Sequence, residues 1–220
     1  MTKRIIITVF FALLFSAVYP QQLFSISSDI GLQRNFKKEQ RYWAAGHTTQ
    51  ALFHLSPKEG IYTWFAYYTS GRFKNNVTAT AKSSLTTPPS LDYVNSSKMV
   101  LKQFSVGWRK YLKGSADAEK SWNIYTYAGF GLIFGEVKNT HSIMIDTSLY
   151  VVPVRSGSAG FKRLTVDLGL GLEIPIGGDY YFYTEGRVWL PTTSYPSKYI
   201  FVNNNAPLVA MLDAGIRILF

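Results

Sequence analysis

The chain has 220 residues, a hydrophobic fraction of 47%, an aromatic fraction of 16% and a formal net charge of +10. It contains no cysteine, which excludes disulfides, thiolate metal sites and a lipid-modified cysteine. No internal segment approaches the ~18 apolar residues of a membrane-crossing helix, and no linker divides the chain into two domains.

Residues 1–20 have the form of a secretory signal peptide. Lys3 and Arg4 precede an apolar run, residues 5–15, broken only by Thr8, and Ser16, Ala17 and Val18 lead into Pro20. The expected cut lies between about residues 17 and 22, leaving 21–220 as one domain.

Eight alternating segments follow. Residues 23–36 set Phe24, Ile26, Ile30 and Leu32 against Ser25, Ser27, Asp29, Gly31 and Gln33. A basic stretch, 37–46, leads to a second strand at 47–55, and the turn SPKEG leads to a third at 61–73. That third strand is aromatic on both faces, so its inward side is left open. Residues 74–98, rich in Asn, Thr, Ser and Pro, read as a long exposed loop. The fourth strand, 99–112, opposes Phe104, Val106 and Trp108 to Gln103, Ser105, Gly107 and Arg109. After a polar turn, 113–121, the fifth strand (122–135) sets Ile124, Phe130, Leu132 and Phe134 against Asn123, Tyr125, Tyr127 and several glycines. A second long loop, 136–162, precedes a sixth strand at 163–176, in which five leucines and valines alternate with Thr165, Asp167, Gly169, Gly171 and Glu173. The turn PIGGDY joins it to a seventh strand, 181–190, carrying Glu185 and Arg187 on one face. A loop at 191–206 ends the series of connections.

The final stretch, PLVAMLDAGIRILF, organises the rest. Leu212, Ala214, Ile216, Ile218 and Phe220 share one face, while Asp213, Gly215 and Arg217 share the other. Connections alternate long and short, and each strand is long enough to cross hydrocarbon at a tilt, which takes about 9–11 residues. This pattern, with the signal peptide and terminal Phe220, resembles the small eight-stranded outer-membrane β-barrels of OmpA/OmpX type. The resemblance implies an all-β fold, an eight-stranded antiparallel up-and-down transmembrane β-barrel in the outer membrane of a Gram-negative bacterium. It also implies that Phe220 is part of the signal read by the barrel assembly machinery. The rival architecture is a soluble, lipocalin-like lipid-binding barrel, with apolar faces turned inward.

If the apolar faces meet lipid, Asp29, Arg109, Asp167, Glu173, Glu185, Arg187, Asp213 and Arg217 line the lumen. An eight-stranded lumen is just wide enough for side chains to fill, and charges of both signs there suggest a paired network. The glycines Gly107, Gly129, Gly131, Gly169, Gly171 and Gly215 are expected to make room for long Arg and Glu side chains. His47, His54 and His141 show no metal spacing, and no cofactor motif occurs. A lipid A-modifying enzyme is the catalytic alternative, but no His–Ser pair is recognisable within a well-patterned strand.

Once Lys3 and Arg4 are removed, +8 remains, and the four long loops carry +2, +3, +1 and +1 of it. Lys37, Lys38, Arg41, Arg72, Lys74, Lys82, Lys98, Arg155 and Lys162 are therefore the candidate contacts with lipopolysaccharide phosphate, or with an extracellular glycan or protein. Nucleic acid is excluded as a partner, because a secreted chain does not meet it and no basic stripe with interleaved aromatics occurs.

Overall fold

The structure, a computed structural model, describes residues 24–192 and 208–220. The signal-peptide reading of residues 1–20 and nearly all of the loop at 191–206 lie outside the described residues. Nine strands run in chain order: β1 (Phe24–Asn35), β2 (Tyr42–Ser56), β3 (Glu59–Ala81), β4 (Ser90–Lys113), β5 (Asn123–His141), β6 (Tyr150–Val151), β7 (Gly157–Gly177), β8 (Tyr180–Pro191) and β9 (Val209–Leu219). All except β6 pair antiparallel with both neighbours. The ring closes where β9 meets β1, with Ile216 opposite Ser28 and Asp213 opposite Gly31. Within the ring, closure leaves no sheet edge, so the amides and carbonyls at membrane height find partners without water.

Strict alternation decides the faces. Along β7, Asp167 and Glu173 are fully buried while Leu164, Leu168 and Leu170 are exposed. Along β9, Asp213 and Arg217 are buried while Leu212 and Ile216 are exposed. Ile30 is 75% exposed and Phe130 70%, and such residues form a continuous apolar belt around the barrel. A soluble protein seldom exposes more than a few hundred Å² of contiguous apolar surface. Charged faces point in and apolar faces point out, so the lipocalin-like alternative is excluded. The inward face of β3, open from the sequence, carries Tyr62, Trp64, Ala66 and Tyr68, and Phe65 points outward.

The strands are unequal. β1, β8 and β9 have 12, 12 and 11 residues, whereas β3, β4, β5 and β7 have 23, 24, 19 and 21. The wall formed by β3, β4, β5 and β7 therefore rises well above the opposite wall. The stretch 74–98, expected to be a loop, is mostly ladder: β3 and β4 stay paired to Thr80 and Ser90. Likewise β5 and β7 pair up to Asn139 and Gly157, so 136–162 is a loop only at its centre. In the first long connection, β2 begins at Tyr42, within the expected loop 37–46. Outside lipid, polar side chains on both faces are compatible with a strand, and their Asn, Ser and Thr content looks like loop. Ala79, Tyr93 and Tyr150 form a small apolar core near the hairpin tip, where β6 pairs with the end of β3.

Candidate functional site

All eight charged residues expected in the lumen are buried there, and Arg163 joins them. Near the middle, Arg187 reaches three carboxylates: Asp29 at 2.6 Å, Asp213 at 3.4 Å and Glu185 beside it. Its Nη1 also donates to Thr48 Oγ1 at 2.8 Å. Tyrosine hydroxyls complete the acids: Tyr183 donates to Asp29, Tyr125 to Glu185 and Tyr68 to Asp213, at 2.7–2.9 Å. Arg109 donates to Gln50 at 2.8 Å, stands 3.7 Å from Glu185 and lies over the Tyr125 ring. Toward the end that holds the β9 terminus, Arg217 binds Glu173 through two hydrogen bonds of 2.8 Å and caps Ala116 O at 2.7 Å. The turn carrying Ala116 thus folds over that mouth.

Asp167 stands apart from the arginine contacts. Gln103 donates to it at 2.7 Å, Thr165 at 2.8 Å, and Ser105 through a short hydrogen bond. Above it the lumen turns apolar: Met99, Leu101, Ile133, Trp189, Val209 and Met211 are all buried. The lumen is therefore layered, with the arginine–carboxylate contacts in its middle and lower part and a mainly apolar layer above, which also holds Arg163, opposite Ile133, and Gln33, opposite Met211. The sequence pointed only to the charges.

The glycines need a correction. Most of them accommodate tyrosines, not Arg or Glu: a Cβ on Gly169 would overlap the Tyr127 ring, and one on Gly171 the Tyr125 ring. Gly107 and Gly129 flank the Tyr62 hydroxyl, whereas Gly131 faces Gln103 and Asp167, and Gly215 faces Asp29. Aromatic rings are the bulkier load, so the strands beside them carry no side chain.

A His–Ser contact, not foreseen from sequence, is present. His54 Nε2 and Ser25 Oγ lie 3.1 Å apart inside the lumen. Both residues are buried, and His54 Nδ1 has no hydrogen-bond partner, so no third group orients the imidazole as a catalytic pair requires.

No protein-family model matches the chain, and no curated protein does. Solved structures do. Neisserial surface protein A superposes with a TM-score of 0.57 at 10% identity, covering 90% of this chain and 97% of that one. Ail, the attachment invasion locus protein of Yersinia pestis, solved with the heparin analogue sucrose octasulfate, gives 0.50 at 12% identity over the same shares. The chain is an eight-stranded outer-membrane β-barrel. Its apolar belt and these neighbours show that it shares the fold of the small outer-membrane barrels.

In this outer-membrane barrel the nine candidate cations do not form one site. Lys82 ties the hairpin tips together, its Nζ donating to Thr147 O at 2.8 Å. Lys37 is half-buried, Lys38 opens a short 3₁₀ turn and Arg41 follows it, and the turn is held to β3 by Asn75, which donates to Glu39 O. Arg155 is exposed beyond β5. Arg72, Lys74 and Lys98 come together on the outward face of β3 and β4, and Lys138 of β5 joins them. Lys162 of β7 sits lower, over the Phe134 ring at 5.7 Å. At the hairpin tip, hydrogen bonds from the Ser148 hydroxyl and amide hold Asp146 below its ordinary pKa. Phe220 is 60% exposed, its N–H donates to Phe24 O at 2.8 Å, and its ring lies 6.2 Å from that of Phe24.

Proposed function

We propose that this barrel conducts no solute, performs no catalysis, and acts as a rigid platform presenting its tall hairpins to anionic glycan or protein outside a Gram-negative cell. The observation that carries this reading is the β3–β4 ladder above its register shift at Tyr68–Gly71. From Arg72–Lys98 it continues without a further shift to Thr80–Ser90 and is braced by β6 and by its own apolar core. Binding residues are commonly held on extensions of a rigid scaffold, and an ordered hairpin loses less entropy on contact than a free loop. Lys38, Arg41 and Arg155 supply exposed positive charge on the same side. Support also comes from Ail, whose structure holds a sulfated sugar. The filled lumen and the lack of an orienting group at His54 support a non-conducting, non-enzymatic role.

The test is adhesion of cells displaying the protein to heparin-coated surfaces, with soluble heparin as competitor. Lys74 and Ser96 are directly opposite, so residues 75–95 can be replaced by a two-residue Asn-Gly turn without disturbing the barrel. Adhesion should fall severalfold, with Lys38, Arg41 and Arg155 left in place but the hairpin that frames them gone, while heat-modifiable migration persists. Undiminished adhesion of the trimmed protein, or none by the full chain to any glycan or protein surface, sinks the proposal.

A further inference from the structure

Four outward threonines of the ring are satisfied by the backbone beneath them. Thr63, Thr69, Thr126 and Thr184 donate their hydroxyls to the carbonyls of Ser105, Ala45, Gly169 and Asp213, at 2.8–3.1 Å. Ser28 on β1 and Thr49 on β2 differ. They are directly opposite in register and both exposed, and among the described residues neither hydroxyl has a hydrogen-bond partner. His47, one outward position above Thr49, is exposed too. Its ring lies 6.3 Å from that of Tyr67, and among the described residues it makes no hydrogen bond or ion pair.

These groups lie at membrane depth. Ser28 stands four positions above Phe24 and six below Arg34, whose guanidinium lies over the Trp43 ring at 4.9 Å. At ~3.3 Å per residue and a tilt near 40°, those spans are about 10 and 15 Å, which together match the ~25 Å apolar band of an outer-membrane barrel. A hydroxyl or imidazole without a partner in hydrocarbon is costly. The surrounding relief is uneven as well. Between Trp43 and Phe53 the outward face of β2 carries only Ala45, His47, Thr49 and Ala51, whereas β1 beside it carries Ile26, Ile30 and Leu32, all exposed. The short side chains of β2 form a trough, and the branched ones of β1 a ridge. On the opposite wall β7 presents Leu164, Leu168 and Leu170 to lipid without a polar break.

An acyl chain offers these groups neither donor nor acceptor, so their partner is protein. Hydroxyls and a neutral imidazole each donate and accept, which makes the patch complementary to a copy of itself. Two barrels in one membrane share an orientation, so a twofold axis relating them runs along the membrane normal. With that axis between β1 and β2, the β1 ridge of one copy enters the β2 trough of the other, and Ser28 of each faces the partner's Thr49. We infer that this barrel pairs with a second copy of itself through β1 and β2. Close approach at small residues and polar bonds across the contact are also what hold membrane helices together. Arg34, Lys38 and Arg41 of the two copies approach above the seam, where water and salt screen them. β4, β5 and β7 lie away from it, so pairing leaves their hairpins free and does not depend on what those bind.

The chain contains no cysteine, so single cysteine substitutions report the contact directly. S28C and T49C barrels, refolded together into phospholipid vesicles and oxidised with copper phenanthroline, should give mostly disulfide-linked dimer. L168C, exposed on the opposite wall, should stay monomeric under the same treatment. Energy transfer between amine-labelled wild-type barrels in vesicles should report the same pairing without any substitution. The variant S28L/T49L, which suits lipid on this face, should keep heat-modifiable migration and dimerise about tenfold more weakly, for two symmetry-related hydrogen bonds lost. The inference is overturned if the S28C and T49C mixture does not couple, or if L168C couples as readily. It is equally overturned if S28L/T49L pairs as wild type does, or if T49C in cells couples to a different protein in place of a second copy. No hairpin residue is altered, so the result stands apart from the heparin adhesion assay.

Discussion

Arg187 on β8 holds Asp29 on β1 at 2.6 Å across the lumen, past the intervening strand β9. The same guanidinium faces Glu185 and Asp213, so one cation balances three acids from three strands. A buried ion pair adds little over a well-packed apolar pair, but removing one partner strands the others, at about 3–5 kcal/mol. Arg187→Leu should therefore lower the urea midpoint of the heat-modifiable form by several kcal/mol equivalents. The double variant D29N/R187L should recover part of that loss. The exposed pair Lys110–Glu59 is the comparator: Glu59→Gln should change stability by less than about 1 kcal/mol.

The lipid face makes the opposite demand. Leu170 is 57% exposed and midway along β7. Leu170→Arg should cost ~2–4 kcal/mol near mid-membrane, measured as the folded fraction after refolding into vesicles. A neutral outcome would mean that this face does not meet hydrocarbon.

The lumen should not conduct. Its charged residues are cross-linked by ion pairs, and above them Trp189 and Tyr68 are buried with their rings edge to face, 5.7 Å apart. Planar bilayers containing purified protein should show negligible steady conductance, because an open pore takes about sixteen strands. Large, long-lived channels from monomer would refute the occluded lumen, whereas brief flickers fit transient rearrangement of the Arg187 cluster.

The hairpin tip carries a pH dependence. Burial beside Tyr93, whose ring lies 4.5 Å away, holds His141 below its ordinary pKa of 6.5. The closed tip thus prefers the neutral imidazole, and an opened tip takes up a proton more readily. The contribution of the neutral imidazole to closure is fully present above about pH 6.5 and diminishes as pH falls below it. Limited proteolysis at the β3–β4 and β5–β7 tips should quicken as the medium is acidified, and His141→Gln should flatten that response. A cleavage rate independent of pH in the wild type would refute the coupling.

Much of this architecture is legible in the chain because lipid enforces period-two alternation. In β1, β7, β8 and β9 every inward charge lies at the parity that the apolar residues leave free. The inward side of β3 was not legible, since aromatic residues suit both a packed lumen and a lipid interface: Tyr62 and Trp64 face in, Phe65 and Tyr67 out. Strand extensions above the membrane lost the signal, because polar residues there are tolerated on both faces. Lys138 was missed for that reason, and its partnership with Lys98 and Arg72 is a register property that no local window contains. One local clue existed, the outward series Lys98, Val100 and Lys102. The Ser25–His54 contact was equally hidden, since it forms between strands twenty-nine residues apart.

Assembly and stability can be separated by experiment at Phe220. Phe220 lies beyond the last ladder residue, holds one backbone hydrogen bond to Phe24, and leaves most of its ring exposed. The seam between β9 and β1 is already closed by eleven register pairs from Ser25–Leu219 to Asn35–Val209. Losing Phe220 removes one hydrogen bond and one tilted ring contact, about 1–2 kcal/mol at most. That is small against a closed ladder in lipid, where each unsatisfied group costs several kcal/mol. Deletion of Phe220 should therefore leave the urea midpoint of barrels already inserted nearly unchanged. If the terminal aromatic is read during insertion, the same deletion should sharply reduce the yield of heat-modifiable protein in cells. Ile216→Asp, in the middle of the same exposed row, should lower both yield and midpoint, because it places a charge on the lipid face. Deleting Phe220 and replacing Trp122 with Ala provide the decisive comparison, since both are exposed aromatics near the same rim. A greater loss of yield from the Phe220 deletion marks an assembly role. Equal losses leave Phe220 as one interfacial aromatic among several.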